Sequence, residues 1–253
     1  MSGHSKWSTI KRAKGANDAK RGALFTKLAR DIALAARDGG GDPDMNFRLR
    51  LVVDKAKSGN MPLDSITRAI KRATGEGEGV EEFEEITYEG YGPGGGAILL
   101  HVLTTNRNRT ASEVRQAFSK SGGNLGESGC VAWNFENKGI ITVEVNDSDK
   151  ADELSLMAID AESDDVSYED GILEILTTPE NLQRVQQALE SDGVNIVSSD
   201  ISLVPKATIA LDDKASEQTL RLLDSLEDLA DVQKAYTNAD FPPEVLEQYQ
   251  AAS

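Results

Sequence analysis

Over residues 17–39 apolar side chains return at helical spacing. At about 100° per residue, Leu24, Leu28, Ile32 and Ala35, with Phe25, Ala29 and Ala36, fall on one face, while Lys20, Lys27, Arg30 and Arg37 fall on the opposite one. Asn17 or Asp18 can cap this helix, and the run Gly39, Gly40, Gly41 stops it. Asp42 ahead of Pro43 reads as a cap with proline at the first helical position, opening a second helix through Phe47, Leu51, Val52 and Ala56. Ser58, Gly59 and Asn60 end it. A third helix is predicted over 62–74, burying Leu63, Ile66, Ile70 and Ala73 and leaving Arg68, Lys71 and Arg72 outside. Three short amphipathic helices on short loops make a small bundle, which ends where GEGEGVEEFEE begins.

From Ile86 the period shortens to that of strands. Gly90, Gly92 and Gly95 match the spacing of a dinucleotide-binding fingerprint, but they lead into the apolar run AILLHVL and not into a helix, so a tight turn with a bulge is expected. In TTNRNRTASEVRQAF, Thr110 and Glu113 have capping-box spacing ahead of Val114, Ala117 and Phe118. The glycine-rich SGGNLGESGCVAWNF reads as a turn and then a strand bearing Trp133 and Phe135. Residues 139–204 read β, α, β, β, α, β, the order of a ferredoxin-like domain. Strand, helix, strand before it and again after it, the latter from KATIAL through Leu222, Leu226 and Leu229 to DVQKAYT, are two halves of a similar domain. The expected fold class is therefore α+β in three domains. These are a basic helical bundle at 1–75, a discontinuous α+β domain at 76–138 plus 205–253, and a ferredoxin-like domain at 139–204 inserted in it. The tail at 241–253 reads as a Pro-initiated helical turn.

Charge separates along the same line. Residues 1–75 carry 16 basic and 7 acidic side chains, a net of +9, whereas 76–253 carry 11 basic and 36 acidic, a net of −25. Such asymmetry points to a polyanion-binding end and a body that repels nucleic acid. Residues 3–16 mix Gly, Ser and Lys without an apolar period and read as an arm ordered mainly by its partner. Its Lys6, Lys11, Arg12 and Lys14 are candidate phosphate contacts, and Trp7 could stack on a base or pin the arm to the bundle. Further candidates are Lys20, Arg21, Lys27 and Arg30 on the first helix and Arg68, Lys71 and Arg72 on the third. Asn106, Arg107, Asn108 and Arg109 crowd donors at a helix N-terminus, where an anion could bind, so Arg107 and Arg109 join the set. The Gly-rich loops after Arg37 and Lys57 leave no evident recognition helix for reading duplex sequence.

Other chemistry is not indicated. One cysteine, Cys130, excludes an intrachain disulfide, and with His4 and His101 as the two histidines there is no zinc ligand set. Cys130 has no histidine near it in sequence and reads as a small buried residue. No GxxxxGK[ST] loop is present, and acid pairs such as Glu84 with Glu85 or Asp164 with Asp165 read as solvated faces of an acidic body. No catalytic residue, metal or cofactor is expected. No apolar run approaches the roughly 20 residues that span a bilayer, and no secretory signal is evident, so a cytoplasmic home without a membrane partner is the expectation.

Four stretches together carry a family resemblance: GHSKW at 3–7, DAKRGALFTKL at 18–28, TTNRNRTASEVRQAF at 104–118 and GGNLGESGCVAWNF at 122–135. Along its whole length the chain resembles the bacterial YebC/PmpR family. That resemblance implies a three-domain cytoplasmic protein acting as a DNA-binding transcriptional regulator, with no catalytic residues to carry over. The family is also similar to the mitochondrial translational activator of cytochrome oxidase, which implies instead a ribosomal role, easing elongation through difficult sequences such as proline runs. Both expectations share a nucleic-acid partner, DNA in one and ribosomal or other structured RNA in the other.

Overall fold

The computed structural model describes residues 18–75, 83–169 and 171–252. It opens with three helices, α1 (Asp18–Gly39), α2 (Phe47–Ser58) and α3 (Leu63–Ala73). Leu28, Ile32, Ala35 and Ala36 of α1 meet Leu49, Val53 and Ala56 of α2 and Ile66 and Ala69 of α3 in one core. Two expected core residues lie outside it: Leu24 is 45% exposed and Leu63 is 65% exposed. At 22 residues α1 is twice as long as α3 with its 11, so its first turns run past the neighbours that would cover Leu24. Leu63 opens α3 one turn before Ile66, which is the position that faces the core.

Asp42 does not cap α2. Its carboxylate instead accepts from the Asp44 amide at 2.9 Å inside a turn. The cap is Asn46, whose Oδ1 accepts from the Leu49 amide at 3.0 Å, while Nδ2 donates to the Ala35 and Gly40 carbonyls at 2.8 and 2.9 Å. One buried amide therefore starts α2 and ties down the end of α1. Capping alone contributes about 1 kcal/mol.

The chain then runs β1 (Glu84–Tyr91), β2 (Ala97–Thr104), α4 (Arg107–Lys120), β3 (Asn124–Leu125), β4 (Phe135–Glu144), α5 (Ser148–Asp160), β5 (Asp165–Glu169) and β6 (Ile172–Thr177). It continues with α6 (Leu182–Ser191), β7 (Ile196–Pro205), β8 (Ile209–Ala210), α7 (Asp213–Glu227), β9 (Val232–Thr237), β10 (Ala239–Asp240) and α8 (Pro243–Ala252). Two compact units result, one of Phe135–Lys206 and one of the segments on either side of it. The protein is thus α+β, with the helices first and the sheets after.

In the unit of Phe135–Lys206 the sheet order is β5-β6-β4-β7, every neighbour antiparallel. This is the ferredoxin-like order, produced when two βαβ halves interleave their strands. Ile141, Val143, Leu173 and Ile175 from the sheet and Leu154, Leu182, Val185 and Leu189 from its helices are all buried. Phe135 pairs with Pro205, so the chain enters and leaves this unit at adjacent backbone positions.

The other unit holds the helical bundle and a second sheet, of order β3-β1-β2-β9, also antiparallel. Ile98, Leu100 and Val102 of β2 pack with Val114 and Phe118 of α4 and Leu220, Leu223 and Leu226 of α7. The GYGPGGG segment is the β1–β2 turn, with Gly94 and Gly95 at φ +77° and +85° and the Gly92 amide on the Gly96 carbonyl at 2.7 Å. Two strand expectations change. KATIAL adds to the four-stranded sheet nothing; Ile209 and Ala210 pair in parallel with β10 and the fourth strand is β1. Trp133 lies in a 3₁₀ turn, Ala132–Asn134, and β4 begins at Phe135. At that point Asn134 exchanges side-chain hydrogen bonds with Ala207, 2.9 Å to its carbonyl and 3.0 Å from its amide.

Candidate nucleic-acid interface

The basic residues of α1 are not a uniform solvent-facing stripe. Lys27 is half-buried and donates to the Glu227 carbonyl at the end of α7. Arg30 donates to the Ala230 carbonyl at 2.6 Å and to Asp231 Oδ1 at 3.3 Å, with its guanidinium 5.1 Å from the centre of the Phe83 ring. These bonds seat α1 against the α7–β9 connection. A lysine at a helix C-terminus also meets the negative end of the α7 dipole. Both cations, expected to track phosphates, therefore have partners inside the unit.

Asp231 is the hub of that seat. Only 2% exposed, it accepts from Arg109 Nη2 at 2.5 Å, Thr110 Oγ1 at 2.7 Å and Thr104 Oγ1 at 3.0 Å, besides Arg30. Burial pushes its carboxyl up, but the hydrogen bonds from Arg109, Thr110 and Thr104 together hold it below the usual aspartate range. Thr110 is thus a buried partner of Asp231 within α4 and not the helix cap. Asn106 takes the capping role, its Oδ1 accepting from the Arg109 amide at 3.1 Å. At the N-terminus expected to hold an anion, the Arg109 amide is thus taken up by Asn106, and Arg107 lies 3.5 Å from Glu84.

Helix α3 differs. Arg68, Lys71 and Arg72 are exposed, and among the described residues none of their three side chains has a hydrogen bond or ion pair. Arg68 and Arg72, one turn apart, border a groove of about 450 Å³ between α1 and α3. Phe25, Ala29, Ala33, Ala69 and Ala73 also line it, with Arg30 and Arg37 from α1 and Phe83, the residue before β1. Among the described residues no acidic side chain lines it. Phe83 was not singled out from sequence, although one large apolar residue amid EGVEEFEE is a signal that something anchors there. Arg21 is exposed on the first turns of α1 and already has a partner. Lys6, Trp7, Lys11, Arg12 and Lys14, and the side chain of Lys20, lie outside the described residues.

A second built feature lies on β1. The buried Glu89 carboxylate accepts from the Gly129, Val131 and Ala132 amides at 2.6, 2.8 and 2.8 Å. Burial raises its pKa and those three amides lower it, with a net shift below the usual range. The loop so fixed presents Trp133, 68% exposed, with its indole N–H on the Cys130 carbonyl at 2.9 Å. Cys130 is half-buried and not fully buried as expected, and desolvation with the nearby Glu89 charge pushes its thiol up. His101 bonds Glu85 at 2.7 Å across the β1–β2 ladder. Among the described residues no group of acids, His and Cys could hold a metal, and no helix is long and apolar enough to cross a membrane.

A basic helical bundle, an antiparallel α+β sheet and a ferredoxin-like unit inserted in the chain between two strands of that sheet are the parts of one known class of protein. The model of the TACO1/YebC N-terminal domain matches residues 5–76, and that of the TACO1/YebC second and third domain matches 83–239. The chain belongs to this family. It is 55% identical over 250 residues to a probable transcriptional regulatory protein of Moorella thermoacetica, covering 98% of this chain and 99% of that one. A relative of the same description from Halothermothrix orenii is 52% identical over 250 residues, covering 98% of each. A crystal structure of a conserved hypothetical protein, Aq1575 from Aquifex aeolicus, superposes with a TM-score of 0.81 at 46% identity, covering 90% of this chain and 94% of that one.

Proposed function

We propose that the protein is a cytoplasmic, non-enzymatic regulator of gene expression that binds nucleic acid through its basic end. The observation that carries this is the set of cations on α3, Arg68, Lys71 and Arg72, whose side chains have no partner among the described residues, at the end of the chain whose net charge is +9. Cations without internal partners are the ones that can release counterions from a phosphate backbone. The basic residues at 6–21 add to the charge of the same end in this reading. Relatives named probable transcriptional regulatory proteins support regulation as the role, and DNA is the target that such a role would have.

The charge of the body favours a second target. A net of −25 over 76–253 opposes lying along a bare duplex, while folded RNA or the ribosome lets one basic end engage by shape and phosphate contacts. A translational role, easing elongation through difficult sequences, follows from that target. Fluorescence anisotropy of the full chain with promoter-length duplexes, against cosedimentation with ribosomes, at physiological salt decides between them. A defined duplex bound about 10³-fold tighter than others, with no cosedimentation, supports the DNA target; cosedimentation lost on removing the α3 cations supports the ribosome. Equal binding by a variant without those cations on every ligand rejects the interface.

A further inference from the structure

We infer that the groove between α1 and α3 accepts an unpaired base of folded RNA, with the flanking phosphates on Arg68 and Arg72. The inference rests on the α3 phosphate surface proposed above and adds a base-recognition element to it. Arg68 and Arg72 border the groove without an ion pair, and among the described residues no acid lines it, so that rim is complementary to a polyanion. Its floor is apolar, which phosphate contacts alone would leave facing water. Ala29, Ala33, Ala69 and Ala73 are small enough to let a flat group lie close to both helices. At one end the groove already holds a planar cation against an aromatic ring, Arg30 over Phe83 at 5.1 Å, and a nucleobase is a group of the same kind.

Size and topology favour this occupant. A groove of about 450 Å³ is in the range of pockets for small ligands. It holds a base or two and not the several turns of a docked helix, whose anchors repeat over i, i+4 and i+7. A closed duplex keeps its bases in the stack, and drawing one out costs roughly a few kcal/mol. Loops and bulges of RNA present theirs already unstacked beside their phosphates.

The test uses the full chain and three fluorescent RNAs: a stem-loop with about eight unpaired nucleotides, the same stem-loop with abasic loop positions, and a fully paired duplex of equal charge. Ala33→Leu on α1 and Ala73→Leu on α3 each fill the groove without changing charge, and both sites are half-buried. Each variant should bind the stem-loop about tenfold more weakly while binding the abasic and paired RNAs as the parent does. Arg68→Ala with Arg72→Ala should weaken all three. If both filling variants melt like the parent and bind the stem-loop as tightly, the base site is wrong while the phosphate surface stands. Should the arginine variant bind all three unchanged, the phosphate surface itself fails. Displacement of the stem-loop by poly-glutamate from the parent, but not from the filled variants, would assign the groove to an acidic peptide and overturn the inference.

Discussion

Arg30 and Arg68 line the same groove from facing helices, yet they serve different ends. Arg30 meets a carbonyl, a buried carboxylate and an aromatic ring, and its charge is neutralised within the fold. Arg68, with Lys71 and Arg72, keeps its charge facing solvent. The reason lies in the opposite partner. Helix α1 packs against a segment that ends in the carbonyls of α7 and in Asp231, which take up Lys27 and Arg30, whereas the acid that α3 itself carries, the exposed Asp64 one turn before Arg68, forms no ion pair with it. A cation count per helix is blind to this. What decides whether a basic residue can reach a phosphate is whether the fold supplies a nearer anion.

The comparison breaks most visibly at its hub. Asp231→Ala removes the acceptor shared by Arg30, Arg109, Thr104 and Thr110 and should destabilise the protein by about 3 kcal/mol in urea unfolding. A loss below about 1 kcal/mol would mean that the network is no stronger than a surface ion pair. Next in size is the exchange between the two basic sets. Replacing Arg68, Lys71 and Arg72 with Ala should lower the magnitude of the salt slope of nucleic-acid binding by about 3 and leave stability almost unchanged. Lys27→Ala with Arg30→Ala should do the reverse, and a slope that falls equally in both variants would erase the distinction.

Acid sharpens it further. Because Asp231 and Glu89 have folded pKa values below their ordinary ones, their contributions to stability are complete above about pH 4 and are lost as pH falls through the folded values. The urea midpoint should therefore decline from neutral pH towards pH of about 3, and less steeply in Asp231→Asn; a parallel decline would exclude Asp231 as a source. The smallest effect is expected two residues from Arg109. The exposed Arg107–Glu84 pair at 3.5 Å contributes at most about 0.5 kcal/mol, so Arg107→Ala should be nearly silent in melting where Arg109→Ala is not.

Much of the fold is legible before any coordinates. The 3.6-residue recurrence in α1 and α3, the glycines that stop α1, and the β, α, β, β, α, β order ahead of Pro205 each rest on local patterning that few alternative structures satisfy. Local signals misled where two were adjacent. Asp42–Pro43 is a sound helix start, but Asn46 satisfies three backbone groups at once and takes the cap. Thr110 and Glu113 have capping spacing, but Asn106 begins the helix one turn earlier and frees Thr110 for Asp231. KATIAL has a strand's composition, yet β1 already occupies the sheet position beside β2.

For the site, the charge separation was plain from residue types alone, since +9 against −25 requires no geometry. Periodicity also placed Arg68, Lys71 and Arg72 outside the core. Which cations remain available was settled only by tertiary structure, because Asp231 lies about 200 residues from Arg30 along the chain and 122 from Arg109. The groove is of the same kind: Phe25, Ala33, Ala73 and Phe83 share no motif, and packing two helices and one linker residue together makes them a surface. A sequence determines the charge it carries and the faces its helices present; which of those charges the fold neutralises depends on contacts between residues far apart in the chain.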